Sequence, residues 1–448
     1  MMEYSAFRLA VEAAAKEKGL DRYELYYSKT RSQSLNAFEG QIDRFSLSES
    51  IGVCFRCLIG GKAGYASTEK MEEEEAVRLV SSAIESAHLV EATDPEFLVE
   101  QSVQFQPRAL SAETDTAEEI SLLLETEKRA LSMDPRIAKL GSCALLSGQE
   151  EKGIFNSNGI DLLDRNQYYC RYLSPIAEVE GRAYNGFGFE IAKQYDQMNT
   201  DKLLEEATRN TVEAIGAGRL ATGQYPVVLH YGVATSFLET FCDVFSSEAA
   251  QKGLSLLKGK EGQEIGAPTL TIYDDPLCGQ AVFHSHFDDE GVASQKKAVV
   301  EKGVLNTLLY NLKTAAKAGK ESTGNAYKAS YSSKVTVAPT NFYIQPGQQT
   351  LEQLFQQMGN GLYVTEMMGM HAGADSVTGD FSLEAKGFLV ENGKKAAPVE
   401  LFTIAGNFFS LLKDIQAVGN DLRFDMPSGA GQIGSPSLLV RSLSAAGE

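Results

Sequence analysis

The chain has 448 residues, is 43% hydrophobic and 23% charged, and carries a formal net charge of −19. At roughly 100 to 200 residues per domain this length predicts two or three domains with ample core, and the acidic balance argues against a phosphate-backbone ligand, which requires a basic surface. The opening Met1-Met2-Glu3-Tyr4-Ser5 lacks the basic and apolar regions of a secretory leader, and no apolar run approaches the roughly 18 residues of a membrane span. A cytoplasmic protein without nucleic-acid or membrane partners is therefore the expectation.

In chain order, Phe7, Ala10, Val11, Ala14 and Ala15 form one stripe of a helix over about 3–18, stopped by Gly19. Short β-rich segments follow at Tyr23 to Ser28, Gln33 to Phe38, Ile42 to Leu47, Ile51 to Ile59 and Ala63 to Ala66, as in a meander. Glu72 to Glu75 then open a second helix, where they complement its dipole, and Val77, Val80, Ile84 and Ala87 mark its spacing. The same order recurs as a helix over about 116–133, strands through Ile154 to Tyr184, and a helix over 200–216. Asn36 to Gly40 and Asn156 to Gly159 occupy similar places, which predicts a duplicated helix, meander, helix unit. Residues 91–115, with Pro95 and Pro107, read as a crossover or linker.

Near residue 222 the texture changes, and the domain boundary is placed there, giving an N-terminal α+β domain over 1–221 and a C-terminal domain over 222–448. Strands are expected at 269–273, 297–300, 340–345, 361–366, 381–391 and 397–403, with helices near 350–358 and 404–416. Without regular βαβ spacing, these predict an α+β fold whose C-terminal domain holds a large, mainly antiparallel sheet with helices.

Six cysteines in a chain this long read as reduced, mostly buried thiols. Cys54 and Cys57 form a CxxC, but alternation in an apolar strand points the two sulfurs to opposite faces. Among the five histidines only His284 and His286 lie close together, beside Asp288, Asp289 and Glu290; an extended backbone would set both imidazoles on one face, a candidate metal site with Asp288 against the plainer reading of a polar loop. His371 sits among Met367, Met368, Gly369, Met370 and Gly373, a Gly- and Met-rich segment that could border a peptide groove or pack as a loop. His88 and His230 read as structural. No G-x-S-x-G elbow, phosphate loop or G-x-G-x-x-G turn is present.

Five ordered segments carry a resemblance. They are Phe287-Asp288-Asp289-Glu290-Gly291; Tyr310-Asn311-Leu312 with Ser322-Thr323-Gly324-Asn325-Ala326; Thr378-Gly379-Asp380-Phe381-Ser382 with Gly387 to Gly393; Val418-Gly419-Asn420-Asp421-Leu422; and Gly434-Ser435-Pro436-Ser437-Leu438. Together they resemble the TldD/PmbA family over essentially the whole chain, PmbA also being called TldE. In the TldD branch a helical H-E-x-x-x-H and a later cysteine bind zinc, and the glutamate acts as general base toward a zinc-activated water. Here Leu238 and Asp243 stand at the histidine positions, Glu239 at the glutamate, and Met426 to Gly431 offer no cysteine.

The resemblance therefore implies the PmbA branch: a chain with no zinc of its own, partnered in a heterodimer with a TldD-like subunit that carries zinc, or with a second copy of itself in isolation. It further implies proteolysis of unfolded peptides and peptide precursors in the cytoplasm, with substrate lying as an added strand. Asp288, Asp289, Glu290, His371 and Gly373 are the candidate groove residues. Two other readings stay open: an autonomous hydrolase with metal on His284, His286 and Asp288, and a non-enzymatic modulator of DNA gyrase, as the family's older naming suggests.

Overall fold

A computed structural model describes residues 2–91, 95–111 and 114–447; residues 92–94 and 112–113 of the expected linker lie outside the described residues. The N-terminal half runs α1 (Tyr4–Glu17), β1 (Tyr23–Phe38), β2 (Gln41–Ile59), β3 (Lys62–Thr68), α2 (Glu73–Leu89), α3 (Thr116–Ser132), β4 (Ile137–Asn156), β5 (Asp161–Val179), β6 (Arg182–Asn185), β7 (Gly188–Ala192) and α4 (Thr200–Glu213). The order helix, three-stranded meander, helix occurs twice, and the two meanders join through antiparallel β1 and β4 into one sheet ordered β3-β2-β1-β4-β5-β6, with β7 on β5. Equivalent hairpins close at Gly60-Gly61 (φ 56° and 80°) and Glu180-Gly181 (φ 52° and 77°). Positive φ at both turn residues matches the right-handed twist of the flanking strands.

The strands are longer than the sequence pattern predicts. Lys29 to Ser32 and Ser48 to Ser50 read as breaks because they are polar, yet they pair with each other inside continuous β1 and β2. Likewise β4 begins at Ile137, well before the expected Ile154, because residues 139–153 pair with β5, including the polar stretch Ser147 to Lys152.

One face of the sheet is covered by its own helices: Phe7, Val11, Leu79 and Val80 pack on Leu25, Tyr27, Val53, Phe55 and Cys57, and Leu123, Leu203 and Leu204 pack on Leu35, Cys143 and Leu173. The other face carries Tyr26, Cys54, Ile154 and Leu162, which pack on Phe287 of the C-terminal half. Cys54 and Cys57 thus serve cores on opposite faces.

The C-terminal half continues β8 (Gly223–Leu229), α5 (Tyr231–Phe241), α6 (Ser247–Gln251), β9 (Ile272–Asp274), β10 (Lys297–Glu301), β11 (Val304–Leu305), α7 (Leu312–Ala318), β12 (Ala326–Tyr327), β13 (Thr336–Val337), β14 (Phe342–Ile344), α8 (Leu351–Met358), β15 (Gly361–Met368), α9 (Met370–Gly373), β16 (Asp380–Glu391), β17 (Lys394–Asn407), α10 (Phe408–Asp414), β18 (Ile415–Val418), β19 (Arg423–Phe424), β20 (Ile433–Ser435) and β21 (Leu438–Ala446). Two six-stranded sheets, β17-β16-β15-β8-β21-β18 and β11-β10-β9-β14-β20-β19, are mainly antiparallel, with β12 and β13 a separate pair. The expected helix over 404–416 starts later, at Phe408, because Thr403 to Asn407 extend β17 against β16. Both large sheets feed one apolar core in which α5 is enclosed.

Candidate functional site

Helix α5 leaves the end of β8, where the His230 side chain caps it by accepting the Gly232 N–H at 3.2 Å. Burial and nearby Arg423 and Arg209 drive the His230 pKa down to about 3, so the ring stays neutral and keeps the lone pair the cap needs. Val233, Phe237, Leu238 and Phe241 face the core, with Phe241 stacked on Phe408 at 4.5 Å and Phe237 edge-on to Phe381 at 4.7 Å. After Phe241 the chain tightens into a 3₁₀ turn over Cys242–Phe245. Asp243 therefore stands off the α-helix on which the sequence pattern places it; burying Phe245 against Phe342 draws the turn inward.

Glu239 and Asp243 point away from that core into a cleft of about 440 Å³, whose far wall is Tyr327, Thr336 to Pro339, and the turn Ser428 to Ala430. Ser428 and Gly431 exchange backbone hydrogen bonds across that turn. Gly431 lies so close to the neighbouring strand that a Cβ there would meet the Thr340 carbonyl carbon at 2.4 Å. Glu248 and Lys252 also line the cleft and pair with each other at 2.7 Å. Among the described residues no hydrogen bond or ion pair reaches the Glu239 carboxylate. Burial and then Asp425 push its pKa up, and burial, Asp243 and Glu239 push the Cys242 thiol up to about 12.

These donors do not fit a catalytic zinc. Such a site needs several deprotonated or neutral-nitrogen ligands converging on one point. Leu238, where the resemblance expects a ligand, is an aliphatic core residue 2% exposed that does not line the cleft. The neighbouring thiol holds its proton, and among the described residues no three His, Cys, Asp or Glu side chains gather closely enough to hold a metal ion.

The acidic loop departs from its expected place. Asp288, Asp289 and Glu290 are 3%, 6% and 4% exposed, between the two halves of the molecule, and so do not wall an open groove. Asp288 accepts backbone N–H groups from Glu290, Val292 and Ala326 at 2.9–3.0 Å. Asp289 accepts Lys152 Nζ at 3.1 Å and the Lys328 N–H at 2.7 Å, and Glu290 accepts the Leu312 N–H at 2.8 Å. Burial raises the pKa of both Asp288 and Glu290, and in Glu290 the Asp288 charge adds to it.

His284 and His286 do not converge on Asp288 either. Arg108 donates to His284 Nδ1 at 2.7 Å and His284 Nε2 donates to the Cys278 carbonyl at 2.9 Å, leaving that ring no lone pair for a metal; burial lowers its pKa to about 4. His286 meets Asp164 at 2.9 Å and stacks on Phe105 at 4.4 Å. His371 is exposed and Gly373 partly so on short α9, which packs against α5 and β16.

Spacing within one loop could not reveal the N-terminal partners Lys152, Asp164 and Asn166, more than a hundred residues away. The one signal was their presence at alternating positions of strands, where polar residues line a buried face. Several quoted segments are clamps as well. Asn325 donates to Asp274 at 2.9 Å and accepts Lys297 Nζ at 2.9 Å, Asp421 accepts both Ser437 N and Oγ at 2.7–2.8 Å, and Asn407 donates to Asp380 at 2.8 Å.

Three family models match in order: PmbA/TldA metallopeptidase domain 1 over residues 23–87, the central domain over 110–215 and the C-terminal domain over 222–447. The chain belongs to the PmbA/TldA metallopeptidase family. A Haemophilus influenzae relative named as a metalloprotease PmbA homolog is 28% identical, with 93% of this chain and 91% of the relative covered. A TldD homolog from the same organism is 25% identical, with 96% and 94% covered. Among solved structures, a Thermotoga maritima protein named for modulation of a DNA gyrase superposes with a TM-score of 0.90 at 30% identity, over 99% of this chain and all of that one. TldE from Thermococcus kodakarensis shares the fold, with a TM-score of 0.83 at 21% identity over 98% of this chain and all of that one.

Proposed function

We propose that this chain is the metal-free subunit of a two-subunit cytoplasmic peptidase, in which a TldD-like partner supplies zinc and this chain helps enclose unfolded peptides and peptide precursors. The observation that carries the reading is the Glu239 cleft, in which Glu239 and Asp243 face the turn Ser428 to Ala430 while Leu238 is committed to the core and Asp243 to a 3₁₀ turn. β13 lines the same cleft and, among the described strands, pairs only with β12, so an extended peptide can add beside it through backbone hydrogen bonds. The absence among the described residues of a helix long and apolar enough to cross a membrane agrees with this setting.

The test is metal analysis and peptide cleavage with and without a TldD-like subunit. The purified chain alone is expected to hold no stoichiometric zinc and to leave unfolded peptides intact, and addition of the partner is expected to start cleavage. Stoichiometric zinc together with cleavage by this chain alone would overturn the reading. A second reading, a protein-binding modulator of DNA gyrase, draws on the name of the Thermotoga maritima relative; a pull-down that retains gyrase and no TldD-like chain would favour it.

A further inference from the structure

Two adjacent amides on β5 bring three basic side chains from distant segments together. Asn166, 4% exposed, clamps the backbone of His284, accepting its N–H at 2.9 Å and donating to its carbonyl at 2.6 Å. Gln167, 3% exposed, accepts the Ser111 N–H at 2.9 Å and donates to the Lys193 carbonyl at 3.0 Å. The segment carrying Arg108, the residue after β7 and the C-terminal half are thus tied to one point of the N-terminal sheet. Buried amides with hydrogen-bonded partners hold backbone in one arrangement.

The charge gathered there has no counter-charge. Arg108 uses two of its five N–H donors on the Val282 carbonyl at 2.9 Å and on His284 Nδ1 at 2.7 Å. Because Nδ1 accepts, the neutral His284 ring carries its proton on Nε2 and gives it to the Cys278 carbonyl at 2.9 Å. Lys193 Nζ lies 3.4 Å from that same Nε2, which has no lone pair left for it. Among the described residues no ion pair reaches Lys193 or Arg108, whereas the buried cations Arg56, Lys152 and Arg171 each meet a carboxylate. Burial and then Arg108 lower the Lys193 pKa, and burial lowers that of Arg108 against the raising charge of Asp164. Both shifts are those of cations held together without an anion.

We propose that Lys193 and Arg108 form a binding site for a small oxyanion, a carboxylate or a phosphate, which accepts from the three N–H donors of Lys193 and the unused donors of Arg108. Ammonium and guanidinium groups make charge-assisted hydrogen bonds to either kind of oxygen. In a chain of net charge −19 two converging cations without a carboxylate are an exception that such an anion resolves. His284 orients Arg108 and fixes where the anion sits. None of the three side chains lines the Glu239 cleft, so the site is separate from it. A bound anion joins the Arg108 segment to the end of β7 and, through His284, to the C-terminal half, so it stabilises the folded chain.

Isothermal titration calorimetry and thermal melting read the site, with three probes at low-millimolar concentration and constant ionic strength: inorganic phosphate, N-acetyl-triglycine, and its C-terminal amide. Phosphate, the free acid or both are expected to bind and to raise the melting temperature, while the amide does neither; the tighter of the two identifies the source of the oxyanion. Lys193→Gln is expected to weaken binding about ten- to hundredfold and to leave melting without anion unchanged or raised, since the ammonium has no protein acceptor to lose. Lys193→Arg keeps the charge and is expected to retain binding. Lys296→Gln removes a cation already paired with Asp275 at 3.1 Å and is expected to bind as wild type does. Absence of binding by both oxyanions overturns the proposal, as does binding that survives Lys193→Gln or falls equally with Lys296→Gln. A Lys193→Gln chain that fails to fold overturns it too, because the ammonium would then serve a partner within the protein.

Discussion

The molecule holds two acidic groups of similar composition and opposite character. Glu239, Asp243 and Glu248 line a cleft at the end of α5, and among the described residues only Glu248 of the three has an ion partner. Asp288, Asp289 and Glu290 are sealed between the halves of the chain with every carboxylate hydrogen-bonded. A carboxylate taken out of water must be paired or hydrogen-bonded, whereas one lining a cleft, even where burial raises its pKa as in Glu239, stays free to meet a ligand. Acidic density in a sequence therefore marks both kinds of site, and the number of partners tells them apart.

The largest expected effect breaks the sealed group. Lys152→Met removes the cation paired with Asp289, two side chains 10% and 7% exposed, and breaking a buried pair from one side costs about 3–5 kcal/mol. Urea unfolding is the measurement, and a loss below about 1 kcal/mol would mean that Asp289 does not depend on this partner. Next, Leu238→His places an imidazole in the α5 core and is expected to cost roughly 2–4 kcal/mol. Combined with Asp243→His it creates an H-E-x-x-x-H sequence, yet it should bind no stoichiometric zinc, since residue 238 faces the core and not the cleft that residue 243 lines. Zinc by elemental analysis with unchanged melting would refute the view that the cleft's helix is committed to packing.

A smaller, pH-dependent effect distinguishes the sealed face from the open one. Burial raises the Glu150 pKa to about 7, with Lys152 opposing the shift and Asp289 and Asp164 adding to it. A carboxyl whose folded pKa is raised holds its proton more tightly in the folded state, so its contribution is fully present below the ordinary carboxylate range and is lost as pH rises through about 7. The melting temperature of wild type relative to Glu150→Gln should therefore fall between pH 5 and pH 8.5; parallel profiles would remove the assignment. The smallest effect is at the cleft. Glu239→Gln deletes a carboxylate with no protein partner among the described residues, and stability should stay within about 0.5 kcal/mol, while a loss of several times that would place it in a structural network.

The sequence carried much of the fold. The helical stripe Phe7, Val11, Ala14, Ala15 and the glycine turns marked the elements that the structure contains. Strand ends were misread where polar residues such as Lys29 to Ser32 and Glu150 to Lys152 continue a ladder, because backbone pairing is indifferent to side-chain polarity and their cover comes from distant chain. At the site, the order of residues from Leu238 to Asp243 set the expectation of a zinc motif without histidines. That Asp243 leaves the helix, and that Glu239 faces β13 and the Ser428 turn, required the packed structure.

What the sequence determined by itself was membership, carried by ordered local segments, each with its own turn and capping chemistry. What only the tertiary structure decided was the role of the charges. Asp288 to Glu290 read as an exposed acidic loop until Lys152 on β4 and the backbone of β12 and α7 are brought to them. The reason is physical: a side chain's hydration, and hence its pKa and its availability to a ligand, depends on neighbours supplied by chain closure over more than a hundred residues, which no local pattern encodes.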